Sequence, residues 1–400
     1  MSPPVPVLSA PAFVRTVARS LLHDYLLWIL LLALAALTAT TPAAIGSYTG
    51  LVDWPTMATL TGLLILTKGV ELSGLLHRVA SELIGRMRSQ RALALVLVGV
   101  TALLATVLTN DVALFVMVPL TLTLGAATND ASGENAAPEP VSAGIPVTRM
   151  IIFEALAANA GSALTPIGNP QNLYLWQQSQ QSFAHFTWAM LPLTLQLTAP
   201  LLLLTACVFS GRAKPVPPVH VATVLDRPLL LTCLALYLPL LLLAELHHAP
   251  AALGAIMLVF LARYRQVLAR LDWALLLVFI LMFIDLRLVA NIGAVQAWFA
   301  RADLAVASHL YLAAIAASQL ISNVPATILL AQYTHDWRLL AFGVNVGGAG
   351  LAIGSLASII ALRMAPQRRA WLVFHAYSIP YLLLTGALAY AWIIWRAAAP

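Results

Sequence analysis

Two stretches decide how this chain is read: Asn159-Ala160-Gly161-Ser162-Ala163-Leu164-Thr165-Pro166-Ile167-Gly168 and Asn345-Val346-Gly347-Gly348-Ala349-Gly350-Leu351-Ala352-Ile353-Gly354. They align without a gap, and each interrupts an apolar run. Proline removes a backbone donor, and glycine costs about 1 kcal/mol relative to alanine in a helix interior. A helix is therefore expected to unwind at both places. The first stretch runs on as Asn169-Pro170-Gln171-Asn172; the second ends in Ser355 and carries no proline.

The surroundings give these breaks their meaning. Apolar residues make up 61% of the 400-residue chain, charged residues 9%, and the mean hydropathy is +0.90. Soluble domains carry roughly a quarter charged residues. The longest polar stretches, Gly125–Thr148 and Gly211–Arg227, are too short for a separate domain. The chain reads as an all-α polytopic membrane protein. Soluble catalytic, nucleotide-binding and nucleic-acid-binding domains are excluded. The net charge of +6 is a matter of topology, not of nucleic acid. Cys207 and Cys233 sit in apolar runs without paired spacing and read as packing residues.

Runs able to cross fall at 25–45, 54–73, 149–175, 187–210, 228–246, 250–262, 271–290, 338–362 and 371–395. The first reads as a spanning helix rather than a cleaved signal, because it is long enough to cross. Two further runs, 92–125 and 304–333, have a polar break near the middle and read as re-entrant hairpins. About 9 full crossings plus 2 hairpins result. With the N-terminus cytoplasmic, sixteen of the 21 Lys and Arg residues fall inside and four outside, leaving Lys68 in a span. The positive-inside rule supports that orientation, which puts the C-terminus outside.

The halves share anchors in one order. Val52-Asp53-Trp54 and Leu271-Asp272-Trp273 each open a helix; fifteen residues after each Asp stands a base (Lys68, Arg287), and twenty-one after it a glycine (Gly74, Gly293). Leu108-Thr109-Asn110 then matches Ile321-Ser322-Asn323 at the hairpin tips. The expected organisation is a first inverted repeat over 1–210, a cytoplasmic linker over 211–227, and a connecting helix with the second repeat over 228–400. Inverted repeats with broken helices are characteristic of secondary transporters.

Two tips and two broken helices would aim four helix N-termini at one region. Each offers about half a positive charge and free N–H groups to an anion, while the facing carbonyls suit a small cation such as Na⁺. Thr109, Asn110, Asn159, Ser162, Thr165, Asn169, Asn172, Ser322, Asn323, Asn345 and Ser355 supply amides and hydroxyls. Gly161, Gly347 and Gly348 open the backbone. Asp111, beside the first tip, suits either a helix cap or a coupling-ion ligand. Lys68 and Glu71, three apart, can pair on one helix face. Glu154 stands about one and a half turns into the first broken helix, and facing the cavity mouth is the less favoured reading of it. No zinc-ligand spacing and no GxxxxGK[ST] phosphate loop occurs, so resident metal, cofactor or ATP drive is not expected.

These residues resemble the ion transporter superfamily, which includes citrate transporters, divalent anion–sodium symporters and arsenite-efflux permeases. The Gly168-Asn169-Pro170-Gln171-Asn172 ending is similar to that family's unwound Gly-Thr-Pro-Pro-Asn-type segment. Thr109-Asn110-Asp111 and Ser322-Asn323-Val324 stand where the symporters carry Ser-Asn-Thr tips. Two departures stand out: neither tip has the third Thr, and the second broken segment lacks Pro-Asn. The resemblance implies that Asn110, Asn172, Ser322 and Asn323 contact sodium and substrate. It also implies movement against a scaffold, often as a dimer. The reading is a secondary transporter of a small anion (carboxylate, inorganic oxyanion or arsenite) coupled to Na⁺ or H⁺, not an enzyme. A Na⁺/H⁺ antiporter is the alternative, though it would want more than one acid at the midplane; an intramembrane enzyme lacks a nucleophile with a nearby base.

Overall fold

The computed structural model describes residues 25–40, 42–84, 89–130, 146–211 and 225–398. Among them no β-strand occurs. The helices run in chain order as α1 (Tyr25–Thr40), α2 (Tyr48–Leu51), α3 (Trp54–Leu72), α4 (Leu75–Ile84), α5 (Gln90–Val107), α6 (Asn110–Asp130), α7 (Val147–Ser162), α8 (Pro170–Ser179) and α9 (Phe183–Val208). The second half continues as α10 (Arg227–Glu245), α11 (Ala249–Arg263), α12 (Arg265–Ala269), α13 (Trp273–Ala290), α14 (Gly293–Ala302), α15 (Ala307–Ile321), α16 (Asn323–Leu330), α17 (Trp337–Val346), α18 (Leu356–Met364) and α19 (Ala370–Ala398). The chain is a polytopic all-α membrane protein.

Among the described residues five helices, α5, α9, α10, α13 and α19, are alone long and apolar enough to cross a membrane. A sixth arises if Ala44–Leu51 and Trp54–Leu72, bent by 51° at Val52-Asp53, count as one. The nine expected crossings differ from this because several apolar runs are not single helices. The run at 149–175 is split into α7 and α8, and that at 338–362 into α17, a 3-10 turn at Ala352–Gly354, and α18. The runs at 25–45 and 250–262 hold helices of 16 and 15 residues. At 92–125 the limbs, α5 and α6, have 18 and 21 residues rather than about 15, and α5 is long enough to cross unaided. At 304–333 they have 15 and 8. Most of the expected linker at 211–227 lies outside the described residues.

Two compact units form, and neither is one half of the chain: Met1–Leu72 joins Arg227–Arg301, and Ser73–Asp226 joins Ala302–Pro400. Each unit draws on both halves.

In the unit built from Met1–Leu72 and Arg227–Arg301, the shared anchors do the same physical work twice. Asp53 Oδ1 accepts from Thr56 N at 3.0 Å, and Asp272 Oδ1 from Leu275 N at 3.1 Å, so each caps its helix. Trp54 Nε1 donates back five residues to the Thr49 carbonyl, and Trp273 Nε1 back five to that of Leu268, both at 2.9 Å. Arg287, in the last turn of α13, stands 3.9 Å from Asp53 at the start of α3. The start of one anchor helix thus lies beside the end of the other. Lys68 Nζ donates to both oxygens of Glu71, at 2.8 and 3.0 Å, forming the pair its spacing suggests.

In the other unit one buried cluster is rich in small residues. Ala105, Ala113, Ala155, Ala158, Ala357 and Ala361, with Leu114, Val118 and Ile151, gather α5, α6, α7 and α18 into one buried cluster. Small side chains let helix backbones approach closely where lipid gives no hydrophobic drive. At Gly161 a Cβ would fall on the Ala102 carbonyl oxygen, so the α5–α7 approach requires glycine there. Of the two cysteines, Cys233 is buried as expected, whereas Cys207 is exposed on α9.

Candidate functional site

All the residues singled out at the two breaks and two tips belong to the unit of Ser73–Asp226 and Ala302–Pro400. Helix α7 ends at Ser162, and the chain runs irregularly until Asn169 caps α8, its Oδ1 accepting from Asn172 N at 2.9 Å. Pro170 takes the first helical position, where its missing donor is not needed. In the second half α17 ends at Val346. The chain passes through Gly350 at φ +94°, a conformation glycine adopts without strain, and α18 begins after Ser355.

The two irregular segments meet through buried amides. Asn169 Nδ2 donates to Asn345 Oδ1 at 3.0 Å and to the Ser162 hydroxyl at 3.1 Å. Asn345 Nδ2 donates to Asn172 Oδ1 at 2.7 Å, and Asn172 Nδ2 to the carbonyls of Ala163 and Thr165 at 3.0 and 3.2 Å. On the other side Asn159 Nδ2 donates to the Gly348 carbonyl and to Ser358 Oγ, each at 3.2 Å, while its Oδ1 accepts from Ser355 Oγ at 2.8 Å. Asn159, Ser162, Asn169, Asn172, Asn345, Ser355 and Ser358 are all buried. Unwound backbone buried in this way is tolerable because the side chains satisfy it.

The tips dock on the same segments. Asn110 N donates to the Gly168 carbonyl at 2.9 Å, pinning the start of α6 to the first break. Thr165 Oγ1 donates to the Thr106 carbonyl at 2.6 Å, and Thr106 Oγ1 to that of Gly161 at 3.0 Å. Asn323 is buried, its amide nitrogen against Gly348. Ser322, half-buried, holds φ +74°, an uncommon and costly conformation for serine. Gly347 offers its carbonyl to Gln319 Nε2 at 2.6 Å.

Three expected residues stand apart from this network. Thr109 is buried, and its hydroxyl has no hydrogen-bond partner among the described residues. Asp111 is half-buried in the first turn of α6, its N–H donating to Asn110 Oδ1 at 3.0 Å. Ser322 caps neither adjoining helix with its side chain. Glu154 is not at a cavity mouth. It is fully enclosed in α7, where Thr121 Oγ1 donates to its Oε1 at 2.6 Å.

The helix starts differ between halves. In the first, Asn110 and Asn169 spend side-chain oxygens on the N–H groups of α6 and α8. In the second, Ser322 and Ser355 cap neither α16 nor α18. Sequence reading missed Ser358, Gln319 and Thr106. Ser358 stands three residues after Ser355, one helical turn on, and Gln319 is a lone amide in an apolar limb. Those signals were present; what was absent was any indication of which side chain faced inward.

A polytopic all-α membrane protein whose paired broken helices close on a buried polar cluster has the architecture of a membrane transporter. Comparison with known proteins agrees. The family described as "Citrate transporter" matches residues 25–336, and the chain belongs to that family. It is 44% identical over 377 residues to the inner membrane protein YbiR of Escherichia coli, covering 94% of this chain and 97% of that protein. It is 29% identical over 355 residues to the transporter MJ0456 of Methanocaldococcus jannaschii, covering 86% and 91%. A shorter match, 28% identical over 158 residues, covers 40% of this chain and 30% of the silicon efflux transporter LSI3 of Oryza sativa.

Proposed function

We propose that this protein is a secondary active transporter that moves a small anion, of the carboxylate or inorganic oxyanion class, coupled to Na⁺ or H⁺. The observation carrying this is the pair of broken helices joined by Asn159, Asn169, Asn172 and Asn345, with α16 and α18 starting beside them without side-chain caps. Uncapped N–H groups and the helix dipole favour an anion. The carbonyls of Gly168 and Gly348 accept from Asn110 and Asn159, and in this reading a small cation takes their second lone pairs. Asn110, Asp111, Thr109, Ser322 and Asn323 at the tips complete the site in this reading, with Gly347 and Gly348 giving backbone access.

The cluster itself contains only neutral amides and hydroxyls. That favours a second class of cargo, a weakly acidic oxyacid carried uncharged, in keeping with the silicon efflux named for one relative. In the proposed topology the N-terminus is cytoplasmic and the C-terminus outside.

Purified protein in liposomes tests this. Uptake of citrate, succinate, sulfate, phosphate, arsenite and silicic acid is measured under imposed Na⁺ or pH gradients. Gradient-driven accumulation of one of them is the expected result; exchange of Na⁺ for H⁺ with no solute movement would reassign the protein as an antiporter.

A further inference from the structure

Outside the amide cluster, the same unit holds a cavity of about 310 Å³ where the start of α17 meets the end of α19. Its wall includes Asp336, Arg338, Leu339, Phe342, Trp392 and Arg396. The charges do not cancel. Asp336 Oδ1 accepts from Leu339 N at 2.9 Å, capping α17, and neither arginine has an acid within ion-pair distance among the described residues.

Arg338 sits in the first turn of α17, where the helix dipole already presents positive charge, so the local field disfavours a cation. Arg396 adds a second guanidinium that repels the first. The Asp336 carboxylate acts on Arg338 from the same wall, but one carboxylate against two guanidiniums leaves the cavity with an excess positive charge. The remaining wall is apolar: Leu339 is buried, and Phe342 lies 5.6 Å beneath the Arg338 guanidinium. The indole N–H of Trp392 is shielded from solvent and has no hydrogen-bond partner among the described residues. Trp392 and Trp395 lie 5.1 Å apart near the end of α19, and paired tryptophans suit the membrane interface.

We infer that this cavity binds a phosphate group between Arg338 and Arg396, supplied by an anionic phospholipid whose acyl chain lies along Leu339 and Phe342. Guanidinium groups pair with phosphate through two parallel hydrogen bonds, and basic pockets between membrane helices hold lipid headgroups in this way. The apolar wall favours lipid over free phosphate, which has nothing to place there.

The test is native mass spectrometry of the purified full-length protein with phosphatidylglycerol, phosphatidylcholine or inorganic phosphate. Phosphatidylglycerol should bind saturably and about ten-fold more tightly than phosphatidylcholine. The R338Q/R396Q double variant should lose that preference. Arg396→Glu, at an exposed position, should lose it too, with an unchanged melting curve in lipid-free detergent to show that the fold is intact. Saturable inorganic phosphate binding that both variants lose, without any lipid preference, would keep the phosphate site and assign it to a soluble anion. Equal binding of every probe by wild type and both variants would overturn the site. None of these readouts depends on transport.

Discussion

Asn345 Nδ2 donates to Asn172 Oδ1 at 2.7 Å across 173 residues of sequence, and through this bond the two broken helices become one site. Asn345 also accepts from Asn169 and donates to the Ala341 carbonyl at 2.8 Å. Its amide is therefore shared by α8, α17 and the segment before α8.

Replacing that amide should show its cost. Asn345→Ala leaves the buried Asn172 oxygen without its donor and takes one of three acceptors from the Asn169 amide, which keeps the carbonyl and hydroxyl of Ser162; an unsatisfied buried group costs roughly 1–3 kcal/mol. A drop of several degrees in thermal unfolding and loss of solute uptake are expected. Gln367→Ala, on an exposed residue of the same unit, should leave both unchanged.

Gly161→Ala tests the close approach of α5 and α7. The new Cβ would meet the Ala102 carbonyl oxygen, and overpacking of this kind costs typically about 1–3 kcal/mol. Lower yield and a lower melting temperature should follow. Gly254→Ala is the control, because a Cβ there meets nothing within 4 Å.

Asp111 separates a first-turn dipole role from ion coupling. Asp111 stands in the first turn of α6, where Asn110 supplies the side-chain cap, so Asp111→Asn keeps size and hydrogen-bonding reach and stability should fall by only about several tenths of a kcal/mol through the lost dipole interaction. If Asp111 binds the coupling ion, gradient-driven accumulation should fail while solute binding survives. Wild-type accumulation by this variant would remove the coupling role.

The tips should be reachable from the transport pathway. In a Cys207→Ala/Cys233→Ala background, Thr109→Cys and Ser322→Cys should react with a small aqueous thiol reagent, and cargo should protect both. Absence of labelling at either position under all gradients would place the pathway elsewhere.

Orientation is checked with reporters. One fused after Pro400 should be extracytoplasmic and one inserted between Gly125 and Gly144 cytoplasmic. Both on the same side would contradict the proposed topology.

Much of the architecture was legible because membrane residence is a matter of composition. The apolar runs, the glycine-rich breaks and the Asp-Trp anchors are local features, and each became a helix, an interruption or a cap where its residue types require one. The Lys68–Glu71 pair followed from spacing alone. Crossing number was less accessible, since an apolar run does not reveal whether one helix fills it: 149–175 has the composition of a span and folds as α7, an irregular turn and α8.

The sequence by itself determined that the protein lives in a membrane, where its helices break, and which amides and hydroxyls stand at the breaks, because those properties depend on residue type and near neighbours. Only the tertiary structure decided that Asn169 and Asn172 pair with Asn345 while Asn159 pairs with Ser355 and Ser358, that Glu154 is enclosed against Thr121, and that Arg338 and Arg396 share one cavity. Those contacts join residues tens to nearly two hundred positions apart. Their geometry depends on how closely alanine and glycine faces let whole helices approach, which no local pattern encodes.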